Sequence, residues 1–373
     1  MKRKFVLLIV SILMLSLLAA CASETDTTEN NNTDNNANKG NEGTKEEGVE
    51  LTYWDGTWAE NITPELIKEF EAENPGIKIN VEYFPWDGMQ DKYLIALKND
   101  SGPDIINLAV DWTIPFAAMG KLQSLSTFIN QYSLNMDDFY EGPVKTLLYE
   151  DEYYALPYRS EASALFYNKK IFEDAGLDPD KAPETWDELI EYSKQIEEKL
   201  GIDGCGQAGS EFGNVTAQLF YLIYSNGGSV LNEDNTKSNL LDPKSLEAAQ
   251  MFVDMFREHK ISPDSTMENN NTVNRNLFIN EQVAMFMSGN YDVDAIRADN
   301  PDLDFGTAML PALDGGRKPI LGGWSVGVTN TAKDAEAAFK FASFLASPEV
   351  SPRYSLTFSS LKSEADNEKY SAP

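Results

Sequence analysis

Between Val49 and Val328 short apolar blocks recur between turn residues. Val49 to Trp54 predicts a strand. Thr63-Pro64-Glu65 predicts a helix start, with Thr63 as cap and Pro64 in the first turn. Leu66, Ile67 and Phe70 form its apolar stripe, and Asn74-Pro75-Gly76 stops it. Ile77, Ile79, Val81 and Tyr83 then alternate as a half-buried strand does. Tyr93, Leu94 and Leu97 mark a second helix, and Asp104 to Ala109 a third strand. Strand, helix, strand, helix, strand predicts an open α/β layer.

A second unit of the same kind follows. Glu152 to Pro157 and Ala164 to Asn168 are strand-like. Thr185-Trp186-Asp187-Glu188 is a capping box opening a helix to Leu200. Asp242-Pro243 starts another, with Leu246, Phe252, Val253 and Phe256 expected on its buried side. Val283 to Met287, Phe305 to Leu310 and Trp324 to Val328 predict strands. Asp334 to Ala346 predicts a helix, ended by Ser347-Pro348. No repeat of solenoid period is present.

The N-terminal part has a different character. Lys2, Arg3 and Lys4 precede an apolar run from Phe5 to Leu18, too short for a comfortable membrane span. The run ends in Leu18-Ala19-Ala20-Cys21, which resembles the lipobox of bacterial lipoproteins. That resemblance implies a signal peptide over 1–20 and lipid on Cys21, where two or more acyl chains give stable anchoring. Residues 22 to 48 carry no aromatic residue and no apolar period, so 21–48 is expected to be a disordered, lipid-anchored linker. With Cys21 lipidated, Cys205 has no partner for a disulfide and is expected to be a reduced core residue.

Charge narrows the partners. The 373 residues carry 60 acidic and 30 basic side chains, a formal charge of −30. Nucleic acid and anionic headgroups would be repelled. Gly204-x-Gly206-x-x-Gly209 matches a dinucleotide fingerprint by spacing, but it is expected to follow a helix, and Ser210-Glu211-Phe212-Gly213 does not read as a helix opening. The only histidine is His259, so neither a His-based triad nor a His-rich metal site has material to build on. No cofactor and no metal are expected, and no enzymatic activity. A lipid-anchored glycoside hydrolase remains an alternative, because paired acids are too abundant to exclude.

Aromatic residues beside turns point elsewhere. Trp54, Trp112, Tyr158, Tyr291 and Trp324 each fall at a predicted strand end, where open α/β sheets bind ligands. Packing explains any one ring better than binding does; the five together predict a site. Aromatic faces cover the C–H face of a sugar while carboxylates and guanidinium groups bind its hydroxyl rim. Gly322 and Gly323 are expected to let the backbone pass close to ligand, with Trp324 facing Tyr291 across it.

Several stretches together resemble the family 1 extracellular solute-binding proteins, the maltose-binding-like sugar receptors of bacterial ABC importers. They include LTYWDGTW at 51–58, SGPDIINL at 101–108, YYALPYRSEASALFYNKKIFEDAGL at 153–177, VAMFMSGNYD at 283–292 and LGGWSVGV at 321–328. The resemblance implies an α/β, two-lobed periplasmic-binding-protein-like fold of class II, each lobe a mixed sheet flanked by helices, closing on a hinge. Mapped onto this chain, lobe one is 49–157 with 310–346, and lobe two is 158–309 with the tail 347–373, with crossings near Leu156-Pro157 and Leu310-Pro311. The family's ligand positions fall on Trp54, Asp104, Tyr158, Arg159, Tyr291, Asp292 and Trp324; Trp112 joins them on the strand-end argument and Gly323 as a place where the backbone can approach ligand. The implied partners are a sugar, mono- or oligosaccharide, and the permease subunits of an ABC transporter, met by a monomer at the outer face of the cell membrane. Glycerol phosphate is the alternative ligand, and Arg159 is the one cation placed in the cleft for it. Asp55 stands where the family often has histidine, and the family usually continues past Ser347-Pro348-Glu349-Val350 with several more helices, which implies a short lobe two.

Overall fold

The structure is a computed structural model that describes residues 48–367. The expected signal peptide, Cys21 and the expected linker to residue 47 lie outside the described residues, as does the tail beyond residue 367.

Among the described residues eleven strands are formed: β1 Val49–Gly56, β2 Ile77–Phe84, β3 Ile105–Ala109, β4 Leu148–Tyr149, β5 Glu152–Tyr153, β6 Ala155–Asn168, β7 Asp203–Gly206, β8 Val283–Gly289, β9 Phe305–Ala308, β10 Leu321–Val328 and β11 Phe358–Ser359. The main path runs β2-β1-β3-β10-β6-β8-β7, with β9 and β11 also paired to β6. β1, β2 and β3 are parallel, and β10 lies antiparallel to both β3 and β6.

β6 decides the architecture. Its first half pairs β10 and packs in a core with Leu51, Ile106, Val326 and Phe341. Its second half pairs β8 and β9 and packs with Trp186, Tyr221, Phe278 and Phe286. One 14-residue strand therefore belongs to two cores, and the molecule has two lobes. The strand predicted in two pieces, Glu152–Pro157 and Ala164–Asn168, is continuous through the hinge because β10 follows it out to Ala162.

The lobe boundaries shift from the sequence expectation. Leu156 and Tyr158 are buried in lobe one, so β6 crosses at about residues 160–162 rather than at Leu156-Pro157. The return segment stays with lobe two until Ile320: the Pro311 carbonyl accepts from the Tyr221 hydroxyl, and Gly315 N donates to the Ser225 carbonyl. The tail packs on lobe one, not lobe two. Val350, Tyr354 and Leu361 join that core, β11 pairs β6, and Arg353 forms a forked ion pair with Glu69 at 2.8 and 2.9 Å.

Local readings differ in three places. Helix Thr63–Glu73 forms, but Thr63 does not cap it; its hydroxyl donates to Asp55 at 2.8 Å. Helix Pro243–Arg257 is capped by Asp242 as its sequence suggests, yet it turns Ser245, Ala248 and Met255 inward and leaves Leu246 49% and Val253 48% exposed. The inner face must be small there, because the Ser245 hydroxyl donates to the Ser229 carbonyl and accepts from Ser229 N. Helix Phe212–Ser225 does open at Glu211, whose carboxylate accepts from Gly213 N and Asn214 N. The Gly204-x-Gly206-x-x-Gly209 run thus begins within strand β7 and precedes a helix. Its glycines serve packing: a Cβ on Gly204 would meet Ser193 at 2.1 Å, and one on Gly209 the Thr266 carbonyl at 2.3 Å. The helix N-terminus already holds a carboxylate, so a pyrophosphate has no place there.

Candidate functional site

Because β1, β2 and β3 are parallel and β6 runs alongside them into lobe two, their C-terminal edge faces the hinge. Each of the three strands is followed there by a tryptophan: Trp58, Trp86 and Trp112. Trp324, at the start of antiparallel β10, meets them. Its ring lies 4.5 Å from Trp58, 5.8 Å from Trp86 and 5.9 Å from Trp112 between centroids. Trp86 stacks on Trp112 at 5.6 Å and 10°, and both stand nearly perpendicular to Trp324. The four rings form a corner with two aromatic walls. Trp112 and Trp324 are its buried back, Trp58 is half-buried, and Trp86 is 37% exposed.

Lobe two closes on this corner. A methyl group on Gly213, in the first turn of helix Phe212–Ser225, would touch both the Trp86 ring at 3.6 Å and the Glu211 carboxylate at 3.2 Å. From the turn after β8 of the same lobe comes Tyr291, a residue that is 36% exposed. The two lobes mount their rings alike. Gly56 leaves room for Trp58 two residues on, where a Cβ would come within 2.2 Å of the indole, and Gly289 does the same for Tyr291. Asn271 holds Tyr291 by donating to its hydroxyl at 3.1 Å and to Ser288 Oγ at 2.7 Å.

Charged groups at the hinge are already paired. Arg159 Nε lies 2.6 Å from Glu161 Oε1, with both side chains largely covered, in the geometry of an ion pair rather than an aligned hydrogen bond. Asp292 is buried. It accepts from Ser288 at 2.5 Å and pairs with Arg275 at 2.9 Å; burial still raises its carboxyl pKa, against the pull of both partners. It braces the turn that carries Tyr291. Asp111, next to Trp112 in the chain, is exposed, yet desolvation by the surrounding protein raises its carboxyl pKa.

Four further positions expected to touch ligand do other work. Trp54 points into the core of lobe one, against Phe84 at 4.9 Å and Tyr93 at 5.3 Å. Asp104 precedes β3, at the edge away from the hinge, and accepts from Thr52 N, Thr52 Oγ1 and Lys333 N at 2.7–2.8 Å. Tyr158 is buried under Tyr354 of the tail, with rings 4.3 Å apart, and its hydroxyl donates to Asn107. Gly323, at φ 144°, serves strand packing: a Cβ there would strike the Arg159 carbonyl at 2.2 Å. The direct ring neighbours of Trp324 are Trp58, Trp86 and Trp112.

Trp58 and Trp86 are the residues the sequence reading passed over. Phe84-Pro85-Trp86-Asp87-Gly88 carries the strand-end signal used for the other rings, and Trp58 repeats the Gly-x-aromatic spacing of Gly289-Asn290-Tyr291.

Below this edge lies a closed polar network. Asp55 is fully buried and accepts from Gly56 N, Thr63 Oγ1, Asn107 Nδ2 and the Tyr354 hydroxyl at 2.8–2.9 Å, while Tyr53 bonds Tyr354. Burial raises the Asp55 carboxyl pKa despite these four donors. The acid that stands in place of a histidine is a structural tie between lobe one and the tail.

Comparison with known proteins agrees with this architecture. The family model for the bacterial extracellular solute-binding protein matches residues 56–352. A protein of Brucella abortus named as a binding protein is 31% identical over 287 residues, covering 75% of this chain and 67% of that protein. The diacetylchitobiose binding protein DasA of Streptomyces coelicolor is 26% identical, covering 91% of this chain and 77% of its own. Among solved structures, an ABC transporter solute binding protein of Thermotoga lettingae bound with α-D-tagatose superposes with a TM-score of 0.78 at 29% identity, covering 84% of this chain and 82% of that one.

Proposed function

The chain belongs to the bacterial extracellular solute-binding protein family, and from that premise we propose that it captures a carbohydrate between its lobes and delivers it to the permease of an ABC importer. The observation that carries the reading is the tryptophan corner: four indoles gathered at the hinge edge of lobe one, with Tyr291 and the Glu211 helix presented from lobe two. Two flat walls at right angles suit the C–H faces of pyranose rings, and binding would cover surface that is now exposed on Trp86 and Tyr291. A relative named for diacetylchitobiose and a solved structure bound with α-D-tagatose support the same class of ligand. The family also favours binding without turnover.

The Leu18-Ala19-Ala20-Cys21 sequence supports an anchored form: lipid on Cys21 would hold a monomer at the outer face of the membrane, with residues 22–48 as its tether. A thermal-shift screen of mono- and oligosaccharides, followed by mass spectrometry of the bound species, tests the central reading. A ligand that binds only the folded state raises its melting temperature by mass action and is recovered intact. Cleaved sugar would point to a hydrolase instead, and no shift with any carbohydrate would end the proposal. Cys21→Ala should release the protein to the medium; retention on the membrane would refute the anchor.

A further inference from the structure

We propose that Glu161 sets the charge selectivity of the cleft: by neutralising Arg159 at the hinge it confines the ligand to uncharged carbohydrate and rejects uronates and phosphate esters. This rests on the carbohydrate reading above and adds the class of carbohydrate to it.

Arg159 and Glu161 are two apart on β6, so their side chains leave the same face of the strand. Across the strand pair Arg159 stands directly opposite Trp324, and Glu161 opposite Gly322. Directly opposed residues share a face, so the ion pair lies on the same side of the strands as the back wall of the tryptophan corner. The Gly322 position is built for the carboxylate: a Cβ there would meet Glu161 Oε2 at 2.9 Å. The guanidinium that could hold an anion is therefore already matched by a carboxylate at 2.6 Å, with side-chain exposures of 7% and 13%.

The other polar groups at the cleft act in the same direction. Arg275, the second guanidinium near Tyr291, is spent on Asp292. The N-terminus of helix Phe212–Ser225, a natural seat for phosphate, is filled by the Glu211 carboxylate. Asp111 adds a further acid beside Trp112. An anionic ligand would meet three carboxylates, and no cation among these groups is left to receive it. An uncharged sugar would use Asp111 and Glu211 as hydroxyl acceptors and leave Glu161 on its guanidinium.

The test is calorimetric titration of the full chain in detergent. The ligands are uncharged di- to tetrasaccharides of glucose, galactose, mannose, xylose and N-acetylglucosamine, with oligogalacturonides, sugar phosphates and glycerol phosphate. The wild type should bind an uncharged member and hold its anionic counterpart at least about a hundredfold more weakly. Glu161→Gln leaves Arg159 unmatched and should strengthen the anion about tenfold, with less than about a threefold change for the uncharged sugar. The double variant R159Q/E161Q should return to the wild-type preference. If E161Q does not fold, E161D, which draws the carboxylate back, should show a smaller gain in the same direction. Comparable affinity of the wild type for the two members of a pair would overturn the inference. So would a folded E161Q whose anion affinity is unchanged. Binding of no uncharged carbohydrate at all defeats the carbohydrate reading itself, a failure distinct from a wrong charge preference.

Discussion

Trp86→Ala is the sharpest probe of the corner. Trp86 is the most exposed of the four indoles, at 37% of its surface. An aromatic side chain offers about 150–250 Å² for burial, so about 90 Å² remains for a ligand to cover. At about 25 cal/mol per Å² that is about 2 kcal/mol, or roughly a thirtyfold loss of affinity on truncation. The fold should suffer less. The variant loses the stack on Trp112 and the edge contact with Trp324, each worth about 0.5–1.5 kcal/mol, and water can enter the space left at the cleft rim. Stability should therefore drop by about 1–2 kcal/mol. Trp54→Ala is the control: Trp54 is enclosed by Phe84 and Tyr93, so it should lose about 3–5 kcal/mol of stability while the folded fraction binds as before. Titration calorimetry with the sugar found in the thermal screen, beside urea unfolding, reads both quantities. Unchanged affinity for Trp86→Ala together with a stability loss above about 3 kcal/mol would show that the ring is core and not platform.

Three further outcomes follow from the packing. Asp55→Asn should be tolerated, because an amide nitrogen at the Oδ2 position can donate to the Thr63 and Tyr354 hydroxyls while Oδ1 still accepts from Gly56 N and Asn107. Burial raises the Asp55 pKa, so the stability its protonation contributes is fully present below the ordinary carboxylate pKa and lost as pH rises through the raised value. The wild type should gain relative to the variant as pH falls from 7 toward 4 in denaturant titrations, and a relative loss would reverse the argument. Cys205 is buried and its thiol pKa is pushed up to about 12, so it should resist thiol reagents until the protein unfolds, and Cys205→Ala should cost about 1–2 kcal/mol with binding intact. Gly323→Ala should destabilise by more than about 2 kcal/mol, since φ is 144° and the new Cβ would sit 2.2 Å from the Arg159 carbonyl; a melting temperature equal to wild type would show that β6 and β10 are less closely joined than they look.

Whatever is carried by neighbours in the chain was legible in the sequence. Alternation predicted β2, and short apolar blocks predicted β1 and β8; Thr185 announced its helix by capping; the order of elements announced open α/β layers. The strand-end argument pointed to the hinge side of the molecule through three residues that lie there, Trp112, Tyr291 and Trp324, and the family resemblance added Arg159. Contacts between distant segments decided the rest. Trp54 and Trp58 are four residues apart and both aromatic, yet one is core and one is rim. The difference lies in Phe84 and Tyr93 arriving from other elements to cover Trp54, while Gly56 folds Trp58 back over the end of its strand. Tyr158 is equally a strand residue near the cleft, but Tyr354, nearly two hundred positions later, lies across it. The inward face of helix Pro243–Arg257 went to Ser245 and Ala248 rather than to the larger Leu246, because the backbone at Ser229 comes too close for a long side chain. A strand's pattern says which residues share a face; which face is covered, and by what, depends on where the remaining chain returns, and no local spacing encodes that.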